Sequence, residues 1–383
     1  MVCILIRKHF CRAGSPAFRI RKLTTMTRDY SRFLPFAASK PLSGQGPETL
    51  RKLGWRPFFI QQCDVETLIA TPPARVCEVH RTGLRLLGDG IDTIIPPIPD
   101  TTVGDWLLLD RTAPTRSTVL NRSSVFERRA PGHDRKRQLI AANVDTVFIV
   151  SSCNKDFNIA RLERYIALAF EAAVTPVILL TKADLCVDSA PQLAAARAIS
   201  DRVLVEALDA LRDDIVARLS PWCATGQTIA FLGSSGVGKS TLVNALMKKG
   251  VAETAGIRED DSKGRHTTTR RQLHFTSDGC AILDTPGMRE LQLTDVGTGI
   301  SELFDDLVTL AGQCRFRDCQ HESEPGCAIR QALDEGALDM SRMMRWRKLA
   351  AEERFNSATL AERKAHDRSR HKMHRSIQQK EKW

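Results

Sequence analysis

Apolar positions fall into three textures along the chain. Residues 1–45 are polar and basic, rich in Ser, Pro and Gly, and sustain no period. From Ala74 short strand-like runs are broken by turn residues: Ala74–His80, Gly83–Leu87 and Val103–Leu109. Several short strands at this spacing predict a small β-barrel or sandwich. From Leu139 strands alternate with helices. Val144–Val150, Val174–Leu180, Thr228–Leu232 and Cys280–Leu283 read as buried strands, and Leu162, Ile166, Ala169 and Phe170 recur at helical spacing between the first two. That alternation predicts an α/β domain with a largely parallel sheet. Beyond Leu291 the pattern is helical and polar, and no internal repeat is present.

Composition narrows the class. Apolar residues make up 42% of the 383, which argues against a mainly disordered chain. No run approaches 18 apolar residues and Val2–Ile6 is short for a signal core, so neither membrane spanning nor secretion is expected. The eleven cysteines are scattered except for Cys314, Cys319 and Cys327, a pattern that suits a reducing cytoplasm with one metal site. The net charge of +11 sits at the ends: residues 1–28 carry seven Lys/Arg and no acid, residues 341–383 carry +8, and the remainder sums to −4. A nucleic-acid footprint is therefore expected at the termini and in local loops, the alternative being a solvated tail. Residues 1–45 read as a disordered arm or an upstream extension of a start at Met26, in preference to a transit peptide.

Gly233-Ser234-Ser235-Gly236-Val237-Gly238-Lys239-Ser240 matches the pattern G-x-x-x-x-G-K-[ST], with the strand Thr228–Leu232 before it and a helical stretch, Thr241–Lys249, after it. Glycines let backbone N–H groups curl around phosphate oxygens, Lys239 can reach the β/γ-phosphates, and the Ser240 hydroxyl can ligate Mg²⁺. Asp284-Thr285-Pro286-Gly287 follows an apolar strand, where its acid approaches Mg²⁺ and its glycine N–H the γ-phosphate. Thr181-Lys182-Ala183-Asp184 follows another. There the Asp184 carboxylate can accept from both N1–H and the 2-amino group of guanine, a donor pair adenine lacks. An ATP-dependent enzyme is opposed on that ground. The order is unusual: the base-reading motif precedes the phosphate loop, and the DxxG turn comes last. One site built from all three requires a circularly permuted domain, with old termini joined between about 205 and 228.

Cys314-x4-Cys319-x-His321-x5-Cys327 offers three thiolates and an imidazole within fourteen residues. Four soft protein donors suit one tetrahedral Zn²⁺ with no open position, hence a structural ion. Arg315, Arg317 and Arg330 beside it form a candidate RNA-contacting surface.

Together Leu139–Asp145, Thr181–Asp184, Gly233–Ser240, Gly264–Thr269, Asp284–Met288 and Val103–Asp105 resemble the ribosome small-subunit-dependent GTPase family over roughly residues 50–365. The resemblance implies three domains after a basic lead-in at 1–69: an OB-fold β-barrel at 70–122, a circularly permuted P-loop G domain at 123–292, and a zinc-binding helical domain with a basic tail at 293–383. It implies GTP hydrolysis with Mg²⁺ during late small-subunit maturation. The implied partners are the 30S subunit and its 16S rRNA, met through the barrel, the basic loop Arg128–Arg137 and the tail; a monomer is expected. The alternative is a non-enzymatic, GTP-switched rRNA-binding module. Thr267–Thr269 form the switch, with Thr268 as its candidate catalytic member, and Thr241 extends the nucleotide contact. Met288 stands where a water-orienting Gln follows DxxG in Ras-like enzymes, and His266 is the candidate to supply that function, the alternative being an RNA contact. The sequence departs from the family at Val203–Leu208, where a Ser-Ala-type base-contact loop is usual.

Overall fold

A computed structural model of the chain describes residues 48–129, 137–154, 156–186, 188–212, 214–248, 271–284 and 295–357. Three short helices lead in: α1 (Glu48–Lys52), α2 (Pro57–Ile60) and α3 (Val65–Ala70). Five antiparallel strands follow, β1 (Pro73–Val79), β2 (Leu84–Gly88), β3 (Ile91–Ile95), β4 (Trp106–Leu108) and β5 (Thr118–Val119), in the order β5-β4-β1-β2-β3. They enclose a core of their own, built from Ala74, Val76, Leu84, Leu86, Ile91, Ile95, Leu107 and Leu109. Among the described residues no β3–β5 pairing closes the unit. A hairpin, β6 (Val125–Arg129) and β7 (Arg137–Ala142), leads onward, and its tip at 130–136 lies outside the described residues.

The α/β part comprises β8 (Thr146–Ser152), α4 (Ile159–Glu171), β9 (Thr175–Thr181), α5 (Ala190–Arg197), β10 (Leu204–Ala207), α6 (Ile215–Leu219), β11 (Thr228–Leu232), α7 (Lys239–Lys248), β12 (Arg271–Phe275) and β13 (Ala281–Asp284). Its sheet runs β10-β9-β8-β11-β13-β12, parallel except for β12. Parallel strands covered on both faces read as unbroken apolar runs, and all seven residues of β8 are buried. Its side chains alternate between two cores: Val147 and Ile149 meet α4, while Phe148 and Val150 meet α6 and α7.

The two parts share one sheet. β12 pairs with β1 through Glu78↔Gln272 and Val79↔Arg271, so the first five strands continue the α/β sheet. Arg75, 1% exposed, crosses the seam and donates to Leu53 O and Thr228 Oγ1. Four helices close the described chain: α8 (Gly297–Leu303), α9 (Asp305–Ala311), α10 (Ala328–Asp334) and α11 (Met340–Ser357). The buried pair Glu163–Arg345 fastens α11 to α4.

Several sequence expectations shift. The end of the supposed lead-in is folded: Leu50 of α1, Leu53 just after it and Phe59 of α2 share a buried cluster with Trp106 of β4. β11 keeps its predicted limits, the other predicted strands begin or end one to three residues away from theirs, and the sequence reading marks no strand at β3, β5, β6, β7, β10 or β12.

Candidate functional site

Parallel strands of one sheet point their carboxyl ends to a common edge, the place where such folds bind ligands. Here β9 delivers Thr181–Asp184, β11 delivers Gly233–Ser240 and β13 ends on Asp284. The phosphate loop turns on three glycines with positive φ: Gly233, Gly236 and Gly238. At Gly233 (φ 144) a Cβ would lie 2.2 Å from Val150 O of β8, so no other residue fits. Val237 is buried beneath the loop, while Ser235, Gly236 and Ser240 are exposed along it. Lys239 opens α7 and lays its ammonium across the loop, donating to Gly233 O at 2.9 Å and to Ser234 O. Thr241 stands two residues further along the helix.

The base-reading turn touches this loop directly. Thr181, fully buried, donates its hydroxyl to Val237 O at 2.6 Å. Lys182 takes a left-handed conformation (φ 57), which swings Ala183–Leu185 into a 3₁₀ turn and leaves Asp184 exposed at the rim. Two motifs in reversed chain order are thereby joined by one buried hydrogen bond.

The sequence reading passed over two features here. The Leu208 N–H donates to Leu180 O at 2.9 Å, which sets the end of β10 beside Thr181. Within Val203–Leu208, the Glu206 carboxylate accepts from Arg218 Nη2 of α6 at 2.6 Å. The main chain at Ala207–Leu208 is thus what adjoins the base-reading turn. Arg161, on the first turn of α4, donates from Nη1 to Ser234 Oγ at 2.7 Å. No local pattern marks a contact spanning 73 residues. His266, Thr267, Thr268, Thr269, Gly287 and Met288 lie outside the described residues, as does the tail from 358.

The Cys/His cluster assembles as its spacing implies. The donor atoms of Cys314, Cys319, His321 and Cys327 all lie within 4.8 Å of one another. Cys314 Sγ–Cys327 Sγ is 3.9 Å, and His321 Nδ1 stands 3.6 Å from the first sulfur and 3.5 Å from the second. A tetrahedral zinc with ordinary bond lengths has S–S edges of about 3.8 Å and S–N edges of about 3.5 Å, so the set fits that ion. Burial raises the Cys314 thiol, but the N–H groups of Ala328 and Ile329 outweigh it and hold the thiol below its ordinary value. Burial, with Cys327 and Cys314 alongside, pushes Cys319 up to about 11. Burial also lowers His321, favouring the neutral imidazole that a metal takes. Three thiolates cannot share this space without a cation to balance them. Glu324 fastens the loop by accepting from the N–H groups of Gln320, Glu322 and Ser323. His321 stacks on Trp346 of α11, centroids 5.9 Å apart. Among the described residues no helix is long and apolar enough to cross a membrane.

Residues 119–294 match the RsgA GTPase family model. The small ribosomal subunit biogenesis GTPase RsgA 2 of Vibrio vulnificus is 47% identical over 340 residues, covering 88% of this chain and 97% of that one. The RsgA of Mesorhizobium japonicum is 48% identical over 317 residues, covering 81% and 91%. Among solved structures, YjeQ from Thermotoga maritima superposes with a TM-score of 0.54 at 22% identity, covering 72% of this chain and 96% of that one. YloQ, described as a circularly permuted GTPase, does so at 0.51 and 23%, covering 74% and 94%. These two share the fold.

Proposed function

The chain belongs to the RsgA GTPase family, and from that premise we propose that it hydrolyses GTP in the biogenesis of the small ribosomal subunit. The observation that carries the reading is the Thr181–Val237 hydrogen bond, which makes one nucleotide site of two motifs in reversed order. Guanine is selected by Asp184, with the Ala207–Leu208 main chain as the second contact on the base. The phosphates lie on the N–H groups of Gly233–Thr241, and Lys239 Nζ exchanges its carbonyl partners for phosphate oxygens.

Mg²⁺ fits the donors present, since the exposed Ser240 hydroxyl and the Asp284 position at the end of β13 offer hard oxygen ligands. When bound, it neutralises charge developing on the β/γ-phosphate oxygens during in-line attack by water. Thr268 and its neighbours act as the switch, Gly287 offers its N–H to the γ-phosphate, and His266 takes the water-orienting part that Met288 has no group to perform.

Zinc at Cys314, Cys319, His321 and Cys327 is structural, holding the Arg315–Arg317 loop against α10 and α11. We assign residues 70–122 to an OB-type barrel with α1–α3 added to it, residues 123–292 to the permuted G domain, and residues 293–383 to the zinc-bound domain. The monomeric protein acts in the cytoplasm and meets the 30S subunit and its 16S rRNA through the barrel, the β6–β7 hairpin and the basic tail.

GTP turnover measured with and without purified 30S subunits tests the reading. Slow basal turnover accelerated by the subunits is expected. Turnover indifferent to them contradicts it.

A further inference from the structure

Arg161 belongs to none of the nucleotide motifs, yet it is the side chain of α4 that reaches the phosphate loop. Its guanidinium donates from Nη1 to Ser234 Oγ at 2.7 Å. The carbonyl of the same serine accepts from Lys239 Nζ. Ser234 is therefore held from two directions, its hydroxyl by Arg161 and its carbonyl by Lys239. The neighbouring Ser235 and Gly236 are exposed, so the loop's outer arc relies on what grips its base.

The helix that carries Arg161 is firmly seated. Asn158 caps its start by accepting from the Arg161 N–H at 3.0 Å. Leu162, Ile166, Ala167 and Ala169 are buried in the larger core. Glu163, 0% exposed, receives Arg345 Nε of α11 at 2.8 and 3.0 Å, and Glu171 at the far end accepts from Gly299 N–H at 2.8 Å. The backbone under Arg161 is thus set by packing remote from the nucleotide, which makes the side chain a strut of fixed origin.

We propose that Arg161 is a positioning residue for GTP binding and turnover, which preorganises the phosphate loop by tethering Ser234 and adds a positive charge behind it. A loop already in its binding shape loses less freedom when it closes on phosphates, so affinity rises. The positive field of a guanidinium at that place favours the polyphosphate. This inference rests on the nucleotide site assigned above and extends it to a residue outside the motifs.

The test is stopped-flow release of a fluorescent GDP analogue, together with steady-state GTP turnover on 30S subunits, in Arg161→Met, Arg161→Lys, Ser234→Ala and the Met/Ala double variant. Arg161 is exposed, and unchanged melting and zinc content verify that each variant folds. Arg161→Met should release the analogue about tenfold faster and raise KM by more than it lowers kcat. Arg161→Lys, which keeps charge and a donor, should recover most of the loss. Ser234→Ala should lose part of what Arg161→Met loses, and the double variant should lose no more than Arg161→Met alone, because both remove one bond. Wild-type release from Arg161→Met, or additive losses in the double variant, overturns the proposal while leaving the site assignment intact. Failure of the unmutated protein to bind the analogue overturns both.

Discussion

At the scale of single residues, chemistry decides which identities are fixed. Gly233 has no room for a Cβ against Val150 O, and Thr181 spends its hydroxyl on Val237 O. The rate-determining group should be His266. His266→Ala is expected to retain GTP and 30S binding while lowering subunit-stimulated kcat about 100-fold, as loss of a general acid–base or water-orienting group does. Near-normal stimulated turnover in that variant rules His266 out. The motif residues were legible in the sequence because phosphate, guanine and zinc each demand particular side chains at short, fixed spacing. Arg161 and the β10 end were not, because their contacts with Ser234 and Leu180 join residues far apart in sequence. The departure at Val203–Leu208 was visible, but the capture of Glu206 by Arg218 of the next helix required the fold.

Among the elements, the buried strands were the most readable: β11 spans Thr228–Leu232 as its apolar run predicts. The β6–β7 hairpin escaped because a register shift between Phe126 and Glu127 breaks its alternation. The helices α1–α3, of five, four and six residues, are too short to show a period. The zinc loop should depend on its ion. The unmutated protein should carry one equivalent of zinc, and Cys319→Ser is expected to lose it and to lower the melting temperature, since metal binding is coupled to folding at such a site; a metal-free, fully folded preparation of the wild type contradicts the site. Acid should loosen α9 from α11. Burial pushes the Asp306 carboxyl up, but Arg342, donating from Nε at 2.9 Å and from Nη2 at 2.8 Å, outweighs it and holds the group below its ordinary value of 3.8. Because the folded pKa lies below the ordinary 3.8, the pair stabilises the fold in full above 3.8 and stops doing so as pH falls further, through the folded pKa. Because Asp306 is half exposed, Asp306→Asn should cost a few tenths to about 1 kcal/mol at pH 7, with the difference closing toward pH 3 in parallel thermal melts. A constant difference across that range contradicts this account of the pair.

Across the whole molecule, one sheet runs from β10 through the α/β strands to β1, β2 and β3, and α4 ties the C-terminal helices to it. Removing the basic tail beyond Ser357 leaves that tie intact, since Arg345 and Glu352 of α11 bond Glu163 and Arg164. Deleting 358–383 removes a net +5 and should weaken 30S binding with a shallower salt dependence, as read by pelleting across a salt series; an unchanged profile makes the tail a solvated run. The central claim is that motifs in reversed order form one guanine site whose chemistry answers to the small subunit. Asp184→Asn tests it most directly, because an amide presents one acceptor and one donor, matching the N1–H and 2-keto edge of xanthine in place of guanine. Subunit-stimulated turnover by Asp184→Asn should fall at least tenfold with GTP and return with XTP. Undiminished GTP turnover by this variant, or no gain with XTP, would contradict the account.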